Sequence, residues 1–256
     1  VVGLSLMQES DAEVLPALLT AMQPNKTTKV AIGSHSAGIL TAIGQAVEKG
    51  KLTGLKEIDF HKDDEGVHLE LGHLGKISHF GPAFHRLDLS HSHIVDIIGI
   101  ETCKTLCTLN LMSTAVTDVS ALGSCSSLET LDLRNIPVTD ISALGSCSSL
   151  HTLYLNGTQV TDVSTLRLCT SLHTLHLTGT AVTDVSALGA CSSLHTLNLR
   201  STAVADVSAL GSCSSLHTLN LKGTQVADIS ALGSCSSLHT LTLSNTQVAD
   251  VSALGS

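Results

Sequence analysis

Apolar residues recur along most of the chain in a fixed rhythm. In the segment 191–212 they stand at Leu194, Leu197, Leu199, Val204, Val207 and Leu210, and each has an apolar counterpart 22 residues earlier and later. A recurrence of that length marks a structural repeat, too small to bury its own apolar face and dependent on stacked neighbours for a core. Leu197 and Leu199 alternate with polar residues, the period-2 pattern of a short strand with one face turned inward. Repeated in register with a connection between each pair, such strands are parallel and about 4.8 Å apart. Val204, Val207 and Leu210 then carry the chain back in an extended or 3₁₀ segment, with Gly211 expected to permit a tight bend.

The same LxxLxL spacing falls at Phe84/Leu87/Leu89, Leu106/Leu109/Leu111, Leu128/Leu131/Leu133 and Leu150/Leu153/Leu155, and continues from Leu172, Leu216 and Leu238. Upstream the period lengthens to 28–29 residues, with Thr27/Val30/Ile32 and Leu55/Ile58/Phe60 in the marker positions and Val1/Leu4/Leu6 as a further candidate. There the connections read as helices, at 11–22 and 38–49, because Val14, Leu15, Leu18 and Leu19, and Ile39, Ile43 and Val47, recur at helical spacing. Asp11 and Ser36 suit N-caps and Gly50 a C-cap.

LxxLxL followed by a polar residue and VxDVSxL resembles the leucine-rich repeat family over essentially the whole chain, in about eleven repeats. The 22-residue units are similar to the internalin-like class and the longer ones to the ribonuclease-inhibitor class. The resemblance implies an α/β fold: a right-handed solenoid, or horseshoe, with a parallel sheet on its concave face and helices on its convex side only in the first third. The division expected is 1–83 for the longer helix-containing units and 84–256 for the regular ones, in one continuous solenoid ending within a repeat. The family usually places Asn three residues after the last marker Leu. Here that column reads His35, Asp63, Ser92, Thr114, Ile136, Thr158, Thr180, Thr202, Thr224 and Thr246. A hydroxyl can donate to the turn but replaces only part of an amide's bonding, and Ile136-Pro137 removes even the hydroxyl, so a local irregularity is expected there.

Composition narrows the function. Aromatic residues make up 2% of the chain and Trp is absent, so the core must be aliphatic. The net charge of -9, from 13 basic and 22 acidic residues, argues against nucleic acid, which requires clustered Lys and Arg. No apolar run reaches the roughly 18 residues of a membrane span, and the first residues lack the pattern of a signal peptide, so no membrane insertion is expected. The absence of an initial Met and the stop within a repeat suggest a piece of a longer protein.

Comparison of the repeats with one another separates what stacking requires from what it leaves free. Asp96, Asp118, Asp140, Asp162, Asp184, Asp206, Asp228 and Asp250 form a column. It reads as a set of caps on the following Val-Ser-Ala turns rather than a cation ladder, since a hard cation needs several converging oxygens. Cys103, Cys125, Cys147, Cys169, Cys191, Cys213 and Cys235 form a second column at apolar positions and read as buried free thiols. Unpaired thiols suit a reducing compartment, so a cytoplasmic location is expected, with the cell surface or secretion as the alternative. Cys103 and Cys107, with His85 nearby, make a weak metal constellation, and neither a metal site nor a cofactor is expected. His151, His173, His195, His217 and His239 form a third ladder, at which protonation should lower stability below about pH 6.

Two columns vary, and both must face outward because their neighbours face in. One carries Asp59, Asp88, Asn110, Asp132, Tyr154, His176, Asn198, Asn220 and Thr242, and the other Ser90, Met112, Arg134, Asn156, Thr178, Arg200, Lys222 and Ser244. The candidate protein-binding residues are therefore Asp88, Asp132, Arg134, Tyr154, Asn156, His176, Asn198, Arg200, Asn220 and Lys222. Tyr154, the only Tyr, has the character of an interface anchor beside Arg134.

One catalytic motif competes. Lys29-Val-Ala-Ile-Gly-Ser-His-Ser-Ala-Gly38 reads as strand, turn and helix, close to the nucleophile elbow of the α/β-hydrolases with Ser36 as nucleophile. The later acid and His of a triad have no place in the repeats that follow. The resemblance to the repeat family implies instead a non-catalytic module binding a protein partner on its concave sheet, with a scaffold or the substrate-receiving arm of a ubiquitin ligase as the alternative and a serine hydrolase as a remote one.

Overall fold

The computed structural model describes residues 85–92 and 94–255, together with the backbone of three upstream strands. Contacts divide the chain into two compact units, Val1–Leu128 and Glu129–Ser256.

In the first unit, strands β1 (Val2–Leu6), β2 (Thr27–Ile32), β3 (Glu57–Phe60), β4 (Arg86–Asp88) and β5 (Thr108–Asn110) lie side by side in chain order, each parallel to the next. Marker residues pair with marker residues: Leu4 with Val30, Val30 with Ile58, Ile58 with Leu87 and Leu87 with Leu109. The expected helices at 11–22 and 38–49 and the Ser36 segment lie outside the described residues.

In the second unit, strands β6 (Thr130–Asp132), β7 (Thr152–Tyr154), β8 (Thr174–His176), β9 (Thr196–Asn198), β10 (Thr218–Asn220) and β11 (Thr240–Thr242) are again parallel and sequential. Leu131, Leu153, Leu175, Leu197, Leu219 and Leu241 stand opposite one another in one register. From Leu131 through Leu219 their side chains are fully buried. Each strand is only three residues long because the alternation lasts no longer. The chain then returns through a 3₁₀ turn such as Ser208–Ser212, which places Leu210 in the core at 0% exposure.

The Asp column caps these turns, as expected. Asp184 Oδ1 accepts the backbone N–H of Ser186 at 2.8 Å, and the same bond recurs at Asp118, Asp140, Asp162, Asp206, Asp228 and Asp250. These bonds favour the ionised carboxylate and hold Asp118, Asp162, Asp184, Asp206, Asp228 and Asp250 below the usual carboxylate range. The Thr column donates: Thr158, Thr180, Thr202 and Thr224 each give a hydroxyl hydrogen bond of 2.7–2.8 Å to the carbonyl of the last marker Leu of their own repeat. At Ile136 the hydroxyl is replaced by a buried apolar side chain, and the expected irregularity does not appear in the element bounds: strand and 3₁₀ turn keep the lengths seen in the next repeat.

Gly211 serves a purpose other than the one expected. It lies within the 3₁₀ turn, and a Cβ there would stand 2.7 Å from the carbonyl oxygen of Ala231 in the following repeat, as one at Gly189 would stand 2.8 Å from that of Ala209. The small residue allows turn to pack on turn. Positive φ belongs to another column, just after the strand, which holds Asn135, Gly157, Gly179, Ser201, Gly223 and Asn245 at 56–71°.

Seven of the eight cysteines are buried, and all eight are free. Cys169, Cys191, Cys213 and Cys235 donate from Sγ to the carbonyl of a leucine in the preceding repeat at 3.2–3.3 Å. Burial pushes the Cys169, Cys191 and Cys213 thiols up to about 11, which makes them packing groups rather than nucleophiles.

Candidate functional site

A chain that buries every second residue of a strand leaves the residues between to face the other way. In the second unit this outward set begins with Asp132 and Arg134. Asp132 is buried at 6% exposure and engaged twice: Oδ1 accepts the Arg134 backbone N–H at 3.0 Å, and both carboxylate oxygens accept from Arg134 Nε at 2.9 Å. This ion pair holds the guanidinium firmly protonated and lays it over the Tyr154 ring, with Cζ 5.3 Å from the ring centroid. On the far side of Tyr154 stands His176, tilted by 44° with ring centroids 5.1 Å apart. Asp132 therefore positions the cluster, and Arg134, Tyr154 and His176, each half-buried, form its accessible part. Burial, then the nearby Arg134 charge, holds His176 below its ordinary pKa, so it is a neutral ring at pH 7.

Asn156, one column over, has a buried side-chain oxygen with no hydrogen-bond partner. An acceptor in that condition lacks a bond worth roughly 1–3 kcal/mol.

The remaining candidates divide. Asn198 Oδ1 accepts the backbone N–H of Arg200, and Asn220 Oδ1 that of Lys222, both at 3.0 Å. Asp88 and Asn110 in the first unit make the same bond to residues two ahead, and Asn110 Nδ2 also donates to Asp88. Asp and Asn are thus frequent in this column because a short side-chain acceptor closes the strand end. Sequence comparison alone read the column as free to vary and missed this bond, although the predominance of Asp and Asn was its signal. Tyr154 and His176 are the described positions in β6–β10 where that acceptor is given up for a ring. Arg200 is exposed and Lys222 half-buried, and neither has an ion pair among the described residues.

The histidine ladder lies at the start of the strands. Rings of His151, His173, His195 and His217 stack in succession, with centroids 4.6–4.7 Å apart and planes within 7–19°. Parallel rings direct their lone pairs along similar lines rather than toward one point. Among the described residues no group of three or more His, Cys, Asp or Glu could hold a metal ion. Burial, followed by the neighbouring His151 and His195, holds His173 below its ordinary pKa.

The family described as Leucine Rich repeats (2 copies) matches residues 104–146, 126–168, 148–190 and 214–256, together just over half of the chain and all within the 22-residue repeats. No curated protein matches it in sequence. Among solved structures the chain is similar to an internalin C2 from Listeria monocytogenes, with 29% identity, 68% of this chain and 77% of that one covered, and a TM-score of 0.65. An internalin inlF from the same bacterium covers 96% of this chain and 78% of its own at 22% identity and a TM-score of 0.69. The plant peptide hormone receptor RGFR1, solved in complex with RGF2, shares the fold at 18% identity and a TM-score of 0.71, over 95% of this chain and 39% of the receptor. Among the described residues no helix is long and apolar enough to cross a membrane.

Proposed function

Because this chain belongs to the leucine-rich repeat family, we propose that it is a non-catalytic recognition module that holds a protein partner on the outward strand face of residues 129–256. Fold does not by itself establish function, and the observation that carries the reading is local. At Tyr154 and His176 the strand-closing acceptor is replaced by two rings in contact, with Arg134 held over the first by a buried carboxylate. A rigid aromatic beside an oriented guanidinium is the residue chemistry of an interface anchor. A peptide-bound relative in fold supports the same reading. A reducing, cytoplasmic setting belongs to the proposal too, supported by eight free cysteines.

The test places a photo-crosslinking amino acid at position 154 and, separately, at Ser230 on a 3₁₀ turn. The expected result is one partner protein captured from position 154 and not from 230, with affinity reduced at least about tenfold by the Tyr154→Ala, Arg134→Ala pair. Capture from the turn side alone would move the function to a scaffold role.

A further inference from the structure

Charge is sorted within the second unit in a way that its net acidity conceals. Residues 129–256 contain four basic side chains, and three of them, Arg134, Arg200 and Lys222, stand in one outward column of the strand face. The fourth, Arg167, lies in a 3₁₀ turn. Of the eight acidic residues of the same unit, six belong to the Asp column that caps the turns, away from the strands. The strand-face acid Asp132 is consumed by Arg134.

The consequence is sharpest at β9 and β10. Asn198 and Asn220 spend their side-chain oxygens on the backbone N–H groups of Arg200 and Lys222, which leaves each amide with its NH₂ end. Asn198 and Asn220 stand opposite each other in register, so Arg200 and Lys222 also come from neighbouring strands about 4.8 Å apart. Two amide NH₂ groups, a guanidinium and an ammonium are all donors, and each of the two amide oxygens is already engaged by a backbone N–H.

We infer that the partner contributes an acidic segment in extended conformation, crossing β7–β10, with carboxylates at Arg200 and Lys222; this rests on the recognition reading and specifies its partner. The span from Tyr154 to Lys222 is three strand spacings, about 14 Å, which an extended chain covers in about four residues. The side chain on the Tyr154–His176 rings and the acidic residues are therefore about four positions apart. Phosphates would also suit donors, but a nucleic acid needs a longer basic track than two adjacent side chains.

The probes are a fluorescein-labelled peptide Gly-Leu-Ser-Gly-Glu-Glu-Glu-Gly, its counterpart with Gln for each Glu, and a ten-residue oligothymidylate, followed by fluorescence anisotropy at about 20 mM and 150 mM salt. The Glu peptide is expected to bind at least about tenfold more tightly than the Gln peptide at the lower salt. Arg200→Ala with Lys222→Ala should abolish that difference, while Arg167→Ala, which removes one positive charge away from the strand face, should preserve it. Equal binding of the two peptides, an equal loss from Arg167→Ala, or tighter binding of oligothymidylate would each overturn the inference. Equal peptide binding together with Tyr154-dependent crosslinking would remove the acidic specificity and leave the recognition reading standing. A Glu preference that depends on Arg200 and Lys222 in a chain that crosslinks nothing at position 154 would do the reverse.

Discussion

Gly179 and Ser201 occupy the same place in adjacent repeats, just after the strand, at φ of 69° and 56°. An L-residue there costs roughly 1–2 kcal/mol that glycine avoids. A Cβ at Gly179 would meet nothing within 4 Å, so the cost of adding one is purely conformational. Gly179→Ala should therefore destabilise by about 1 kcal/mol and Ser201→Gly should stabilise by a similar amount, read as opposite shifts of the urea midpoint. Like-signed shifts would show that contacts decide instead. This column was not legible in the sequence because Gly, Asn and Ser alternate in it, and the glycine that was legible, Gly211, is required by a neighbouring carbonyl rather than by φ. The Asp and Cys columns were legible because each does one job in every repeat. The Asp132–Arg134 pair was not, since both residues were read as lying on the surface and only coordinates put the carboxylate underneath.

At the scale of the element, strand and return turn follow directly from the alternation of Leu with polar residues and from the Val-x-Asp-Val-Ser pattern. What spacing could not supply was the contact between rings in successive strands. His173 and His176 are both held below the ordinary value of about 6.5, chiefly by burial. The unfolded chain has that ordinary value, so it takes up protons first as the pH falls. The stability contributed by the neutral rings is complete above about pH 6.5 and is lost as the pH drops through the native values of these two groups. The Asp caps are held low as well, so their contribution is lost only below the usual carboxylate range of about 4. A thermal melt should therefore show a lower midpoint at pH 5.5 than at pH 7.5, and His173→Gln with His176→Gln should reduce that difference. An unchanged midpoint between the two pH values would contradict the depressed imidazoles.

For the molecule as a whole, each repeat is stabilised by its neighbours, so the cost of a cavity depends on how many neighbours surround it. Leu197 is fully buried, with β8 on one side and β10 on the other, whereas Leu241, in the same register, is half-exposed. Leu197→Ala should cost about 3 kcal/mol and Leu241→Ala less than half of that, measured by urea unfolding followed by circular dichroism. Equal losses would mean that stacking is not nearest-neighbour. The repeat architecture was legible almost completely, because a period of 22 survives any uncertainty over single residues. The register of Leu131 through Leu241 has an evolutionary corollary. When the buried positions of one rung match those of every other, a duplication or excision of 22 codons inserts or removes a rung without asking its neighbours to repack, so the outward strand face can be lengthened, shortened or re-lettered while the interior is inherited unaltered.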